Sequence, residues 1–260
     1  MLNKNNHIDH TAILICSYDG AEDLWLPLSE TYRRYWPDCP FKIYLGTNQK
    51  VPDLEPFIPI PIGDEKSWSD NILKCLEKID EENVLMIFDD IFLCKEINSE
   101  IIVKYTKLAF KNNWSCLRLS PLPIFDFPIT HDIGKMNTNR LYRTSTVWSI
   151  YKKTVLIDLL DVNESAWDFE ILGSERSNKY PEFYSINRTV LPYLNGVVKG
   201  KWVKSVYSYL KNEGFSVSDK KIKKMSTLET LIFKLIQIRS WLFRVFMPKS
   251  KQLYLRKIFH

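Results

Sequence analysis

NVLMIFDDIFL, residues 83 to 93, is a continuous apolar run interrupted by two adjacent carboxylates, Asp89 and Asp90. An unbroken run, rather than an alternating one, is what a strand buried on both faces requires, and such strands occupy the middle of parallel sheets. Ligands of open α/β sheets bind at the carboxyl ends of the strands, which is where the pair falls. Like charges a few ångströms apart repel, so a cation, a basic residue or water has to compensate them. Mg²⁺ or Mn²⁺ fits that need, because it prefers oxygen ligands, uses one or two protein carboxylates, and fills its other positions with water and substrate phosphates. In this reading Asp90 binds the metal and Asp89 supports it or contacts a ribose. The plain alternative is a solvated strand end or a helix cap.

Working outward, TAILICSYDG (11 to 20) reads as a first buried strand entering a polar turn, and residues 21 to 36 have helical spacing that stops at Pro37. FKIYLGTN (41 to 48) reads as a second strand, and FIPIPIGD (57 to 64) as an extended piece whose prolines suit a sheet edge. SWSDNILKCLEKID (67 to 80) places Trp68, Ile72, Leu73, Leu76 and Ile79 on one helical face, with Ser67 as its cap. A helix over 98 to 112 and a strand at SCLRLS follow. Residues 121 to 140 show no period, and a loop of that length inside a compact domain tends to be functional or mobile. LYRTSTVWSIYKK resumes a strand pattern, and a helix follows from about 153 to 161. The order predicts an α/β fold with a Rossmann-type, mostly parallel sheet and flanking helices.

A chain of 260 residues, 45% apolar and 26% charged, is an ordinary globular composition, sufficient for one large α/β domain with a short appendage. The net charge of +5 is unevenly spread. Residues 199 to 260 hold 15 Lys and Arg against 3 Asp and Glu, whereas residues 1 to 198 hold 21 against 28. Such asymmetry predicts a domain at 1–205 and a basic tail at 206–260 that meets a polyanion. On a helical wheel, residues 227 to 246 gather Leu228, Leu231, Ile232, Leu235, Ile236, Ile238, Leu242, Phe243 and Phe246 on one broad face. Glu229, Lys234, Gln237, Ser240 and Arg244 lie opposite, with Arg239 the exception. Flanked by KKIKK (220 to 224) and by the basic residues after Pro248, this pattern suits a helix lying on an anionic bilayer; packing onto the domain or a second subunit is the alternative. Nucleic acid is not expected as a partner, since the aliphatic face is wide and no zinc-finger, helix-turn-helix or RNP motif occurs.

Five cysteines, Cys16, Cys39, Cys75, Cys94 and Cys116, show no metal-ligand spacing and read as reduced, packed thiols of a cytosolic protein. The polar start MLNKNNHIDH lacks the apolar core of a signal peptide, and no run reaches bilayer-spanning length. The expected location is therefore cytoplasmic, with peripheral attachment at the inner face of the membrane.

SYDGAEDLWLPL, YRRYWPDCPFKIYLGTN, WSDNILKCLEKI and VLMIFDDIFL, followed by YRTSTVWSIYKK and ESAWDFEILGSERS, resemble in order and spacing the type A (GT-A fold) glycosyltransferases of bacterial lipopolysaccharide and capsule clusters. The resemblance spans roughly residues 11 to 205. It implies a metal-dependent transferase, with a UDP-sugar as donor and a lipid-linked or lipopolysaccharide glycan, such as an O-antigen, as acceptor. The metal would neutralise the departing diphosphate. The family's metal motif is usually DxD; here Phe88 stands at its first position, so Asp89 and Asp90 serve without that carboxylate. The same likeness implies that Ser17, Tyr18 and Asp19 line the nucleotide pocket with Trp68 and Asn71, and that His131 is the candidate third metal ligand.

ESAWDFE (164 to 170) offers three carboxylates beside a tryptophan, and an inverting transfer needs one base at the acceptor hydroxyl. Partial desolvation beside an indole raises a carboxylate pKa and suits it to that task. The resemblance points to Glu170 first and Asp168 second; if the segment is extended, both point to one side. Arg143, Ser145 and Arg176 are candidates to orient the acceptor or a phosphate. Two other functions stay open: a sugar nucleotidyltransferase, disfavoured because only Gly20 follows the first strand where a Gly-rich, lysine-containing loop is expected, and a non-catalytic partner in a polysaccharide assembly complex.

Overall fold

The computed structural model describes residues 10 to 246, and side chains from 10 to 239. The first nine residues and the basic residues after Pro248 lie outside them, as do the side chains of Ser240, Leu242, Phe243, Arg244 and Phe246.

The chain begins with β1 (Thr11–Cys16), α1 (Glu22–Tyr35), β2 (Ile43–Thr47), β3 (Phe57–Pro61), α2 (Trp68–Glu77), β4 (Asn83–Phe88), β5 (Ile91–Leu93) and α3 (Ser99–Lys111). It continues with β6 (Cys116–Arg118), β7 (Phe127–Pro128), β8 (Ile133–Lys135), β9 (Ser149–Lys152) and α4 (Lys153–Leu159). A helical stretch follows, composed of α5 (Ala166–Asp168), a π-helix (Phe169–Gly173) and α6 (Ser174–Arg176). Last come β10 (Phe183–Ile186), β11 (Tyr193–Asn195), β12 (Val197–Val198), β13 (Lys201–Trp202), α7 (Lys204–Asn212) and α8 (Thr227–Phe246).

Among the described residues the main sheet has nine strands in the order β3-β2-β1-β4-β9-β6-β10-β8-β7. β3, β2, β1 and β4 are mutually parallel, while β9 runs against both β4 and β6. With β10 parallel to β6 and β8 reversed again, only β8 and β9 oppose the common direction, so the sheet is mixed and mostly parallel by strand direction. Each central strand is covered on both faces. Ile13, Ile15, Leu85 and Ile87 pack on α1 and α3 through Leu24, Leu28, Tyr32, Ile102 and Tyr105, whereas Ala12, Leu14, Val84 and Met86 pack on α2 and α4 through Ile72, Leu76, Val155 and Leu156. This two-sided burial is why β1 and β4 read as continuous rather than alternating apolar runs.

Local signals end the helices where the sequence indicates. Ser67 accepts from the Asp70 amide at 3.0 Å and Asn98 from the Ile101 amide at 3.1 Å, capping α2 and α3. Other segments depart from their expected form. LYRTSTVWSIYKK yields a strand only at Ser149–Lys152, because Tyr142 and Trp148 adopt left-handed backbone with φ of 56° and 49°. Within 121 to 140 the short hairpin β7–β8 extends the sheet edge, its strands too brief to leave a period. The five cysteines are free, and burial pushes the thiols of Cys39, Cys75 and Cys116 up to about 12, which makes them unreactive.

The expected division at residue 205 is not where the packing changes. Trp202 is fully buried, stacks on Phe92 at 5.5 Å and donates from Nε1 to the Ser218 carbonyl at 2.8 Å. Beyond it, Val206, Tyr207, Leu210, Phe215 and Met225 belong to the same core as α1 and α3, and the Arg34 guanidinium lies 3.9 Å from the Phe215 ring centroid. Solvent-exposed helix begins only at α8. Each of those five side chains contributes about 1.5–3 kcal/mol of burial, together comparable to the whole stability of a domain. A chain ending at residue 225 is therefore expected to keep a cooperative thermal transition, while one ending at 205 loses it, as measured by circular dichroism on heating.

Candidate active site

The carboxyl end of β4 places the two aspartates unequally. Asp89 is buried beside the end of β1, where Ser17 Oγ donates to Asp89 Oδ2 and accepts from Trp25 Nε1 at 2.7 Å. Asp90 is partly exposed, and its carbonyl accepts from the Gly196 amide at 2.7 Å. Only glycine permits that approach, since a Cβ at position 196 would stand 2.3 Å from the Phe92 ring. Desolvation and the neighbouring Asp90 charge push Asp89 up to about 8, against the Ser17 hydrogen bond, and desolvation lifts Asp90 to about 6.

No cationic side chain pairs with either aspartate among the described residues. Two desolvated carboxylates with no counter-charge are oxygen donors of the kind an oxygen-preferring divalent ion would take. No cluster of three or more His, Cys, Asp or Glu is placed to hold a metal among the described residues. Among the described residues Asp89 and Asp90 would thus be the protein's contribution, which suffices for Mg²⁺ or Mn²⁺ but not for a cage-bound metal. His131 does not join them. It lies in the β7–β8 turn, on the same edge of the sheet but four strand positions from β4, which at about 4.8 Å per strand is roughly 19 Å away.

Around β1 the remaining expected residues take distinct positions. Tyr18 is exposed, and its phenol is raised by burial and by the charges of Asp89 and Glu65. Its ring folds over Gly20, where a Cβ would come within 2.4 Å. Asp19 is committed to the scaffold: Oδ1 accepts from the Asn48 amide at 2.9 Å and Oδ2 from the Gln49 amide at 3.0 Å, and its own amide donates to Asn48 Oδ1. It ties the β1 exit to the β2 exit. Trp68, in the first turn of α2, packs between Phe88 at 6.2 Å and Phe169 at 5.5 Å. Buried Trp68 Nε1, Ser69 Oγ and Asn71 Oδ1 have no hydrogen-bond partner in this turn. These three orphaned polar groups lie together beside the strand that carries the aspartates, and buried polar groups call for a partner.

Glu170 approaches from the other side. Thr146 donates to Glu170 Oε1 from its amide and its hydroxyl, both at 3.0 Å, and Oε2 has no hydrogen-bond partner among the described residues. Because β9 starts at the carboxyl ends of β4 and β6, Thr146 holds Glu170 over the same edge as Asp90. Tyr193 lies between: its phenol is raised first by burial, and the charges of Arg118, Asp90 and Glu170 all reach it. β11 pairs with β5, setting Tyr193 opposite Leu93. Buried Arg118 donates to the carbonyls of Leu122 at 3.0 Å and Tyr142 at 2.7 Å, and its Nε is unpaired. Sequence reasoning missed both residues. A charged residue inside the apolar strand SCLRLS was an available signal for Arg118, whereas Tyr193 is positioned by a strand pairing that no local pattern announces.

Three further expectations are corrected. Residues 166 to 170 are helical rather than extended, so Asp168 and Glu170, two positions apart, do not share a face. Asp168 is exposed and accepts from the Ser165 amide at 3.0 Å and Ser165 Oγ at 2.6 Å, completing a capping box. Arg143 is buried, donates to Ser177 Oγ at 2.8 Å and the Tyr180 carbonyl at 2.6 Å, and lies 4.2 Å from the Phe183 ring centroid, so it braces the core rather than an acceptor. Arg176 is taken by Glu164 in a two-pronged pair at 2.7 and 2.5 Å. Ser145 stays partly exposed one residue before Thr146.

No family model matches the chain, and no curated protein matches it. Among solved structures it is similar to residues 1–349 of S. aureus TarS (10% identity, 95% of this chain and 78% of that chain, TM-score 0.46). It is also similar to a cytidylyltransferase from Leptospira borgpetersenii (10% identity, 92% and 98%, TM-score 0.45) and to the galactosyltransferase LgtC (11% identity, 65% and 70%, TM-score 0.33).

The raised values have a consequence for stability. Because both aspartates bind protons more tightly folded than unfolded, their contribution favours folding below the ordinary carboxylate value of 3.8 and is lost as pH rises through about 6 and about 8. In EDTA, Asp89→Asn is expected to raise the melting temperature at pH 8 by several degrees and to leave it nearly unchanged at pH 4, measured by differential scanning calorimetry.

Proposed function

We propose that this chain is a metal-assisted glycosyltransferase that transfers a sugar, with inversion, from a nucleoside diphosphate donor, a UDP-sugar, to a lipid-linked surface glycan of the lipopolysaccharide or capsule type. The observation that supports the reading is that the charges of Asp90 and Glu170 both reach the Tyr193 phenol, which sets the two carboxylates around one neighbour. Asp90, backed by Asp89, would hold Mn²⁺ or Mg²⁺, which when bound supplies the positive charge that stabilises the departing diphosphate. Ser17 fixes Asp89, and the unpaired groups of Trp68 and Asn71 with the exposed ring of Tyr18 line the nucleotide side.

On the acceptor side, Thr146 holds Glu170 Oε1 and leaves Oε2 to take the proton of the acceptor hydroxyl. As that oxygen attacks the anomeric carbon, the bond from the carbon to the diphosphate oxygen breaks on the opposite face. Ser145, beside Thr146, is the remaining candidate for orienting the acceptor. A lipid-linked acceptor places the reaction at the inner face of the cell membrane, and no helix among the described residues is long and apolar enough to cross one.

Nucleoside diphosphate release from a panel of nucleotide sugars, with Mn²⁺, Mg²⁺ or EDTA, tests the reading. Asp90→Ala is expected to abolish metal-dependent turnover, Glu170→Gln to lower kcat of transfer by about 10²–10⁴-fold, and Asp168→Asn to leave it near wild type. An unchanged kcat in Glu170→Gln would contradict the base assignment. Pyrophosphate release from a nucleoside triphosphate and a sugar 1-phosphate would instead identify a nucleotidyltransferase.

A further inference from the structure

The transfer chemistry leaves α8 unused, and its placement is informative. The helix is anchored to the body near its start: Lys201 Nζ meets Glu229 Oε1 at 2.5 Å, Lys204 Nζ donates to Thr227 Oγ1 at 3.2 Å, and Phe233 packs against the core. At 3.6 residues per turn, Glu229 and Phe233 share one side, and Leu228, Leu231, Ile232, Leu235 and Ile238 lie largely on the other. Those five are 47–66% exposed, and Ile236 is 37% exposed. An amphipathic helix that packs for its own stability buries its aliphatic stripe; here the stripe faces water, and only Glu229, Thr230 and Phe233 near the start of the helix are partly covered. A contiguous apolar surface held outward in this way marks an interaction site.

The surrounding charge selects the partner. Lys220, Lys223, Lys234 and Arg239 are solvent-exposed and form no ion pair among the described residues, whereas Lys221 is paired with Glu22 and Lys224 with Asp219. Arg239 lies within the aliphatic side, where its long stem suits a layer that is apolar below and anionic at its surface. The sequence after Pro248 adds Lys249, Lys251, Arg256 and Lys257 without an acidic residue. An apolar stripe combined with free positive charge matches the interface of an anionic bilayer: the stripe enters the acyl boundary and the cations meet the headgroups.

We propose that the outward stripe Leu228–Ile238 of α8 is the site at which this protein docks on an anionic lipid surface, with Glu229 and Phe233 fixing the helix to the body so that the helix lies flat on the bilayer rather than spanning it. Docking needs no donor, acceptor or metal, so it stands or falls separately from the transfer reaction.

The test is cosedimentation of the full chain with vesicles of phosphatidylglycerol and phosphatidylcholine, against vesicles of phosphatidylcholine alone, with sedimentation velocity run in parallel without lipid. The expected result is binding to the anionic vesicles only, weakened by salt, and lowered at least about tenfold in the double variant Leu231→Glu/Leu235→Glu with an unchanged melting temperature. The charge variant Lys220→Glu/Lys234→Glu, which leaves the stripe intact, is expected to weaken binding as well. Equal binding to both vesicle types, no binding, or undiminished binding by the leucine variant would overturn the proposal. So would a lipid-free dimer that this variant returns to monomer, which would assign the stripe to a second copy of the chain.

Discussion

Two adjacent carboxylates at the end of a buried strand set the central constraint on this structure. A sheet covered by helices on both faces makes the end of β4 a poor place for charge, and the folded chain answers with asymmetry. Asp89 is withdrawn under the Ser17–Trp25 relay and Asp90 is left toward the solvent side. Desolvation raises the proton affinity of both groups, Asp89 further than Asp90. On the proposed reading a bound cation would relieve an arrangement that opposes folding at neutral pH, and the edge around it has features that would suit such a ligand. Asp19 locks the neighbouring β1 and β2 exits together, Gly196 brings the β11 strand against Asp90, and the first turn of α2 keeps polar atoms unpaired.

The fold was legible from the sequence wherever a pattern was local. Continuous apolar runs identified β1 and β4, Ser67 marked the start of α2, and the prolines of β3 correctly placed it at the sheet edge. What failed was whatever depends on distant partners. Arg143 and Arg176 look alike in sequence to any surface arginine, yet Ser177 and Tyr180 bury one and Glu164 captures the other. ESAWDFE points to Glu170 first and Asp168 second as the base, but no local pattern says what holds each carboxylate. A capping box spends Asp168 and a hydrogen-bonded threonine from an entirely different segment presents Glu170. His131 reaches the right edge of the sheet, but strand order, which the local pattern does not encode, sets it too far along.

The C-terminal region divides in a way that charge alone did not indicate. Its first part, through Met225, is core: Trp202 on Phe92 and Leu210 beneath α1 join it to the sheet. Only α8 stands apart, and it does so with its aliphatic side outward. The positive charge of the region is only partly neutralised: Lys201, Lys221 and Lys224 meet carboxylates, whereas Lys220, Lys223, Lys234 and Arg239 form no ion pair among the described residues.

The central claim is that the edge formed by Asp89, Asp90 and the first turn of α2 binds a nucleoside diphosphate together with a divalent cation. Isothermal titration of UDP into the protein in Mn²⁺ and in EDTA, for wild type and Asp90→Ala, tests it most directly. The account predicts one-to-one binding that depends on Mn²⁺ and is lost in the variant; binding of equal strength in EDTA, or in Asp90→Ala, would contradict it.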